Sequence, residues 1–142
     1  REDFGSRHPG GKLGRTLQTA GDYVHDQTGP LPLAHNDATF TQLVIAVSEG
    51  RKGCVGIVDA AGHLVGMVTD GDLRRAMLAG QTQAGALDVM TPKPRTITPS
   101  ARMMTVIKSF SENRISNAFV VDDAGRPIGL IDMKDLLAEG YV

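Results

Sequence analysis

Thr69 and Asp72 stand three residues apart, where an apolar run from Leu64 to Val68 gives way to a helical pattern. A threonine at such a junction brings its hydroxyl and the free N–H groups of a helix start into one space, which suits an anion such as phosphate. An aspartate three residues on lies in the same first turn. Its carboxylate can accept two hydrogen bonds from the vicinal hydroxyls of a ribose. Gly66, with no Cβ, permits either close packing or close approach of a ligand. The same spacing has a plainer meaning too. Thr-x-x-Asp is a capping-box-like pattern, in which the threonine caps the helix and the acid suits the positive end of its dipole.

The neighbours of this pair divide in the same way. Asp70 could orient a nearby donor, although a solvated acid is common at a helix start. Arg74 and Arg75 offer guanidinium forks for a phosphate or carboxylate. Adjacent helical residues diverge by about 100°, so at most one of the two faces a cleft. Other chemistry finds little support. His25, His35 and His63 are scattered and Cys54 is single, so no metal-ligand cluster is legible and no internal disulfide can form. No Gly-x-Ser-x-Gly or Walker loop occurs. Cys54 opens a strand pattern and reads as core, as do most of the six methionines.

The elements that position Thr69 and Asp72 occur twice. Ile57-Val-Asp-Ala-Ala-Gly-His-Leu-Val-Gly-Met-Val-Thr-Asp-Gly-Asp-Leu73 returns 63 positions later as Val120-Val-Asp-Asp-Ala-Gly-Arg-Pro-Ile-Gly-Leu-Ile-Asp-Met-Lys-Asp-Leu136. In each copy two apolar runs flank an Asp-x-Ala-Gly turn, and x-x-x-Asp-Leu opens a helix. The first repeat predicts a strand over Pro32–Ala34 and a helix capped by Asn36 or Asp37, with Phe40, Leu43, Val44 and Val47 as its buried stripe. Strands over Cys54–Val58 and Leu64–Val68 and a helix over Asp70–Ala79 follow, then a short connector helix over Ala86–Met90. The second repeat predicts a strand over Arg95–Ile97 and a helix opened by Thr98-Pro99, with Met103, Val106, Ile107 and Phe110 as its stripe. Strands over Asn117–Val121 and Pro127–Ile131 and a helix over Asp132–Glu139 complete it. Ahead of both, residues 1–19 carry Gly5, Pro9, Gly10, Gly11 and Gly14 and read as linker, and Ala20–Asp26 as one short helix.

Composition sets the outer limits. With 142 residues, 41% hydrophobic and 22% charged, the chain has the make-up of a soluble globular protein. A net charge of −1, dispersed basic residues and no Trp argue against nucleic acid or an anionic membrane as partner. The apolar runs are too short for a membrane span, and a lone cysteine fits a cytoplasmic location. The chain starts at Arg1 rather than Met, and is expected to be part of something longer.

The duplicated β-α-β-β-α unit, with Gly-hydrophobic-x-Thr-x-x-Asp closing its third strand, resembles the CBS domain over about residues 31–140. The match is full at Gly66-Met-Val-Thr-Asp-Gly-Asp-Leu-Arg-Arg75 and partial at Gly129-Leu-Ile-Asp-Met-Lys-Asp135. Such domains come in pairs and bind adenosyl or other nucleotide ligands. The resemblance implies an α+β fold of two repeats, residues 20–85 and 86–142, packed as a pseudo-twofold pair (a Bateman module). Thr69-Asp-Gly-Asp-Leu-Arg-Arg75 is also similar to the first CBS repeat of arabinose-5-phosphate isomerases, which serve 3-deoxy-manno-octulosonate (Kdo) and lipopolysaccharide synthesis. His8-Pro-Gly-Gly-Lys-Leu-Gly-Arg15 is similar to the segment that closes the sugar-isomerase (SIS) domain of those proteins. Residues 1–19 would then be the tail of that domain, and His8 its proton-transfer histidine, inert without its partners.

The resemblance implies ligand contacts at Gly66, Thr69, Asp70, Asp72, Arg74 and Arg75. At the second repeat Asp132 stands where Ser or Thr is expected, and the histidine of many such isomerases is absent. A carboxylate there would repel phosphate, but Asp135 keeps the ribose-type acid. The ligands implied are cytidine-linked Kdo (CMP-Kdo), the activated end product, or AMP or ATP, with no cofactor or metal required. Homodimers through the CBS pairs and a tetrameric parent are expected. The competing expectation is a ligand-free dimerisation module. Catalysis by residues 20–142 is not expected, since they assemble no nucleophile with a base.

Overall fold

The computed structural model describes residues 16–142. Its elements are α1 (Ala20–His25), β1 (Leu33–His35), α2 (Phe40–Gly50), β2 (Cys54–Val58), β3 (Leu64–Thr69), α3 (Asp70–Leu78), α4 (Ala86–Val89), β4 (Thr91–Pro92), β5 (Thr96–Ile97), α5 (Met103–Asn113), β6 (Asn117–Val121), β7 (Pro127–Asp132) and α6 (Met133–Ala138). The fold is α+β, and both repeats follow the β-α-β-β-α order. Two compact units divide the chain. Among the described residues, one holds 29–95 with the turn 124–127, and the other holds the rest of the second repeat together with residues 16–28.

In the first-repeat unit the sheet order is β1-β2-β3-β4. β1 runs parallel to β2, and β2 is antiparallel to β3 with Cys54 opposite Thr69. All five residues of β2 are buried, as expected of a continuous apolar run covered on both faces. Asp59 shapes the β2–β3 turn. Its Oδ1 accepts the N–H groups of Ala61 at 3.0 Å and His63 at 2.9 Å, and Gly62 takes the positive φ of 87° that the turn needs. Phe40, Leu43 and Val47 of α2 join Val55, Ile57, Val68, Leu73 and Ala76 in one core.

Two expectations differ here. The α2 cap is Thr39, not Asn36 or Asp37: its side chain accepts from Gln42 N–H, and the Gln42 side chain answers at the Thr39 N–H. Asn36 stays on the β1 edge, its N–H donating to Val58 O at 2.9 Å, three residues ahead of the cap. Val44 lies at the rim of the apolar stripe and is 36% exposed. The methionines also divide: Met67 and Met103 are buried, but Met77 and Met104 are about half exposed.

The second-repeat unit has a three-stranded sheet, β5-β6-β7, with β5 parallel to β6. Its core joins Ile97, Met103, Val106, Phe110, Ala118, Val120, Ile131 and Leu136 with Ala20 and Val24 of α1. The helix expected from Pro99 begins four residues later, at Met103. The intervening residues are engaged by the leading segment. Ala20 N–H donates to Ala101 O at 2.7 Å, Gly21 N–H to Pro99 O at 2.8 Å, and Met103 N–H to Gln18 O at 2.9 Å. Backbone committed to these bonds is not free to wind into a helix.

Candidate functional site

β3 ends and α3 begins at Thr69, whose extended backbone (φ −111°, ψ 168°) is that of an N-cap. The turn is closed by reciprocal bonds. Asp72 N–H donates to Thr69 Oγ1 at 3.1 Å, and Thr69 N–H donates to Asp72 Oδ2 at 2.9 Å. The other carboxylate oxygen, Oδ1, accepts Arg75 Nη2 at 2.7 Å. The Asp72 side chain is only 11% exposed against 72% for Arg75. The acid is thus held in one orientation from two sides. Each of its oxygens has accepted one bond and keeps a second lone pair.

Of the residues singled out in sequence, Thr69, Asp72 and Arg75 are brought into one bonded cluster. Asp70 is exposed at the first position of α3, and its N–H donates to Gly53 O at 3.0 Å. Arg74 is exposed on the same helix. Gly66 is buried in β3, and a Cβ there would run into the Met90 side chain and approach Thr91 O at 3.1 Å. Its bareness serves the packing of the α4–β4 segment, the first of the two roles open to it. His8 lies outside the described residues.

The corresponding turn of the other unit is built differently. Asp132 ends β7 and caps α6, its Oδ2 accepting Lys134 N–H at 3.1 Å. It is 2% exposed, and Asn117 Nδ2 stands 3.5 Å from its Oδ1. A carboxylate rather than a hydroxyl fills the cap. Asp135 is half-buried in the first turn of α6. Met133 N–H donates to Ser116 O at 2.8 Å, the counterpart of the bond from Asp70 to Gly53. The loops at Gly53 and Ser116 were not singled out in sequence. The 63-residue offset that aligns 53 with 116 and 70 with 133 is the signal that finds them.

No group of three or more His, Cys, Asp or Glu placed to hold a metal occurs among the described residues. Among them, no helix is long and apolar enough to cross a membrane. The arrangement offers oriented acceptors, a guanidinium and a helix start, which is binding chemistry.

Comparison with known proteins places the CBS domain family over residues 24–79 and 86–141. Arabinose 5-phosphate isomerase KpsF of Escherichia coli O6:H1 is 35% identical over 137 residues, 94% of this chain and 41% of the relative. KdsD of Pseudomonas aeruginosa, with the same activity in its name, is 35% identical over 144 residues, 99% of this chain and 44% of the relative. The chain thus spans about two fifths of the length of these relatives. Among solved structures, the CBS domain pair of protein MJ0100 in complex with 5′-methylthioadenosine and S-adenosyl-L-methionine matches with a TM-score of 0.75 at 23% identity. That match covers 89% of this chain and 99% of the other. Protein PAE2072 of Pyrobaculum aerophilum, complexed with AMP, matches at TM-score 0.72 and 16% identity, over 83% of this chain and 89% of its own.

Proposed function

The chain belongs to the CBS domain family in both of its repeats, and from that footing we propose that it is a regulatory nucleotide-binding pair whose ligand sits on the Thr69–Asp72 turn. The observation that carries this reading is the Asp72 carboxylate. It is shielded, locked in orientation by Thr69 N–H and Arg75, and left with lone pairs that can take the vicinal hydroxyls of a ribose. The α3 N–H groups and Arg74 or Arg75 would take a phosphate or carboxylate. Asp70 stands beside them, and Asp135 would serve a nucleoside at the second repeat.

The parent activity proposed is interconversion of D-arabinose 5-phosphate and D-ribulose 5-phosphate in the cytoplasm, supporting Kdo and lipopolysaccharide synthesis. The named isomerases that align with nearly the whole of this chain support it. His8 would act in that catalytic domain. End-product feedback favours CMP-Kdo as ligand, and the adenosine-type ligands in the titles of MJ0100 and PAE2072 favour AMP or ATP. We further propose that the chain is a homodimer within a tetrameric parent.

A second reading, a ligand-free dimerisation and tetramer-stabilising module, draws on the same turn. Thr69, Asp72 and Arg75 satisfy one another without a ligand, and Asp132 is a buried cap. Calorimetric titration with CMP-Kdo, CMP, AMP and ATP separates the readings, with Asp72→Asn beside the wild type. The Asn variant keeps an oxygen for Thr69 N–H but loses the charge and one acceptor. Micromolar binding of one ligand, weakened roughly tenfold or more in the variant, is expected. Silence across the panel would leave the structural reading standing.

A further inference from the structure

We propose that residues 18–27 form a strap that moves as one body with α6 of the second repeat, so that the state of that repeat is passed to the chain preceding Gln18. The strap comes first in sequence, ahead of the first repeat, yet Ala20 (fully buried) and Val24 (7% exposed) sit in the second-repeat core.

Its attachments fall on β7 at Gly129 and Leu130 and on the end of α6 at Glu139 and Tyr141. Val24 fills the hollow over Gly129, where a Cβ would collide with it. The Gln27 side-chain amide pairs with the backbone of Leu130 in both directions: Nε2 donates to the carbonyl at 2.6 Å, and Oε1 accepts the N–H at 3.2 Å. At the far end of α6, Tyr23 O–H donates to Glu139 Oε1 at 2.6 Å. The Tyr23 ring meets Tyr141 edge-on, with centroids 5.5 Å apart and planes at 87°. Tyr141 O–H in turn donates to Gln18 Oε1 at 2.7 Å.

The first repeat shows what the strap replaces. Gly66 and Met67 precede Gly129 and Leu130 by the repeat offset, and there Met90 covers the glycine while Thr91 pairs with Met67 along a backbone ladder. Each repeat's last strand is therefore finished by the segment that precedes the other repeat in sequence. In the first repeat that segment is a strand. In the second it is a side-chain amide and a tyrosine, the amide tied to Leu130 in β7 and the tyrosine to Glu139, which caps the end of the six-residue helix α6. Such a helix is about 9 Å long and too short to flex between its ends. A displacement of α6 at Met133 must therefore reach Tyr23, and through Tyr141 also Gln18. The inference needs no ligand, so it stands or falls separately from the binding assignment.

Amide hydrogen exchange on the full chain tests it, with wild type beside Tyr23→Phe, Gln27→Ala and, from the other side, Glu139→Ala. Tyr23→Phe keeps the ring and removes only the hydrogen bond, which guards against misfolding. Each variant is expected to speed exchange in Ala20–His25 and Met133–Ala138 together, roughly three- to tenfold, the range of one net hydrogen bond. Residues 54–69 should be unchanged. Loosening of α1 with α6 untouched would make the strap a passive cover and overturn the proposal. Equal acceleration over residues 54–69 would overturn it as well, because the contacts would then serve only global stability.

Discussion

Asp132 occupies the position in the second repeat that Thr69 holds in the first, and the two residues do one structural job with different chemistry. Both cap a helix that follows the last strand of a repeat. Thr69 does so as half of a reciprocal pair with Asp72, and Asp132 with its own carboxylate, buried to 2% exposure. The sequence shows the capping-box spacing and the substitution, but not whether the turn closes on itself or opens to a ligand, because both uses require the same residues three apart. Gly66 shows the same limit. Its lack of a Cβ was legible, and the neighbour that needs it, Met90, was not, since that contact depends on where the α4–β4 segment folds back. The capping role of Asp132 predicts a stability pattern. Asp132→Ala should cost about 1–2 kcal/mol by leaving the first turn of α6 uncapped, and Asp132→Thr should recover most of it. Urea midpoints of the two variants check this. An alanine variant as stable as the wild type would mean that the cap contributes nothing.

At the scale of elements, the strands and the helices that close each repeat were legible because the pattern occurs twice and its turn chemistry is strong. The helix starts were less so. Thr98-Pro99 has the form of a helix opening, yet pairing with Gln18–Gly21 defers α5 to Met103. A partner some eighty residues away leaves no mark on the local sequence. Arg51 and Arg114, again one repeat apart, end α2 and α5 in the left-handed conformation at φ 58° and 55°. Glycine is the usual residue there, so composition gave no warning. The β2–β3 turn was read correctly from Asp59 and Gly62, and it carries a pH dependence. The His63 backbone N–H, first among several donors, holds the Asp59 carboxyl below its usual range, with the His63 ring and the Ala61 N–H acting in the same direction. A carboxyl with a depressed folded-state pKa adds stability that is present above its unfolded value and is lost as pH falls below about 4. Asp59→Asn should therefore flatten the acid side of the melting-temperature profile. A profile parallel to the wild type below pH 4 would show that the turn carboxylate plays no part in acid unfolding.

For the whole molecule, the duplicated sequence announced two similar halves, and each does own a separate core. What duplication could not announce is that the second core takes in Ala20 and Val24, which come ahead of β1 in sequence, because a pattern that repeats along the chain says nothing of segments outside it. The surface carries the last consequence. On the first-repeat unit, Val44 and Ile45 of α2 are 36% and 50% exposed, and Met77 and Leu78 of α3 are 50% and 87% exposed. Each helix already buries its core-facing residues, Leu43 and Val47 on α2, Leu73 and Ala76 on α3. These four side chains are therefore apolar surface beyond what the core requires. Covering one of them fully is worth about 1.5–3 kcal/mol, and a second copy of the chain related by a twofold axis is the cover that the proposed homodimer would supply. Sedimentation velocity is expected to find twice the chain mass, and Ile45→Glu with Leu78→Glu to reduce it to the monomer with the circular dichroism unchanged. Two glutamates on each protomer would bring like charges into a desolvated interface, a penalty large enough to separate the copies. A wild-type chain that sediments as a monomer at high micromolar concentration would remove the dimer from the proposal. A dimer that survives both glutamates would place its interface on another face.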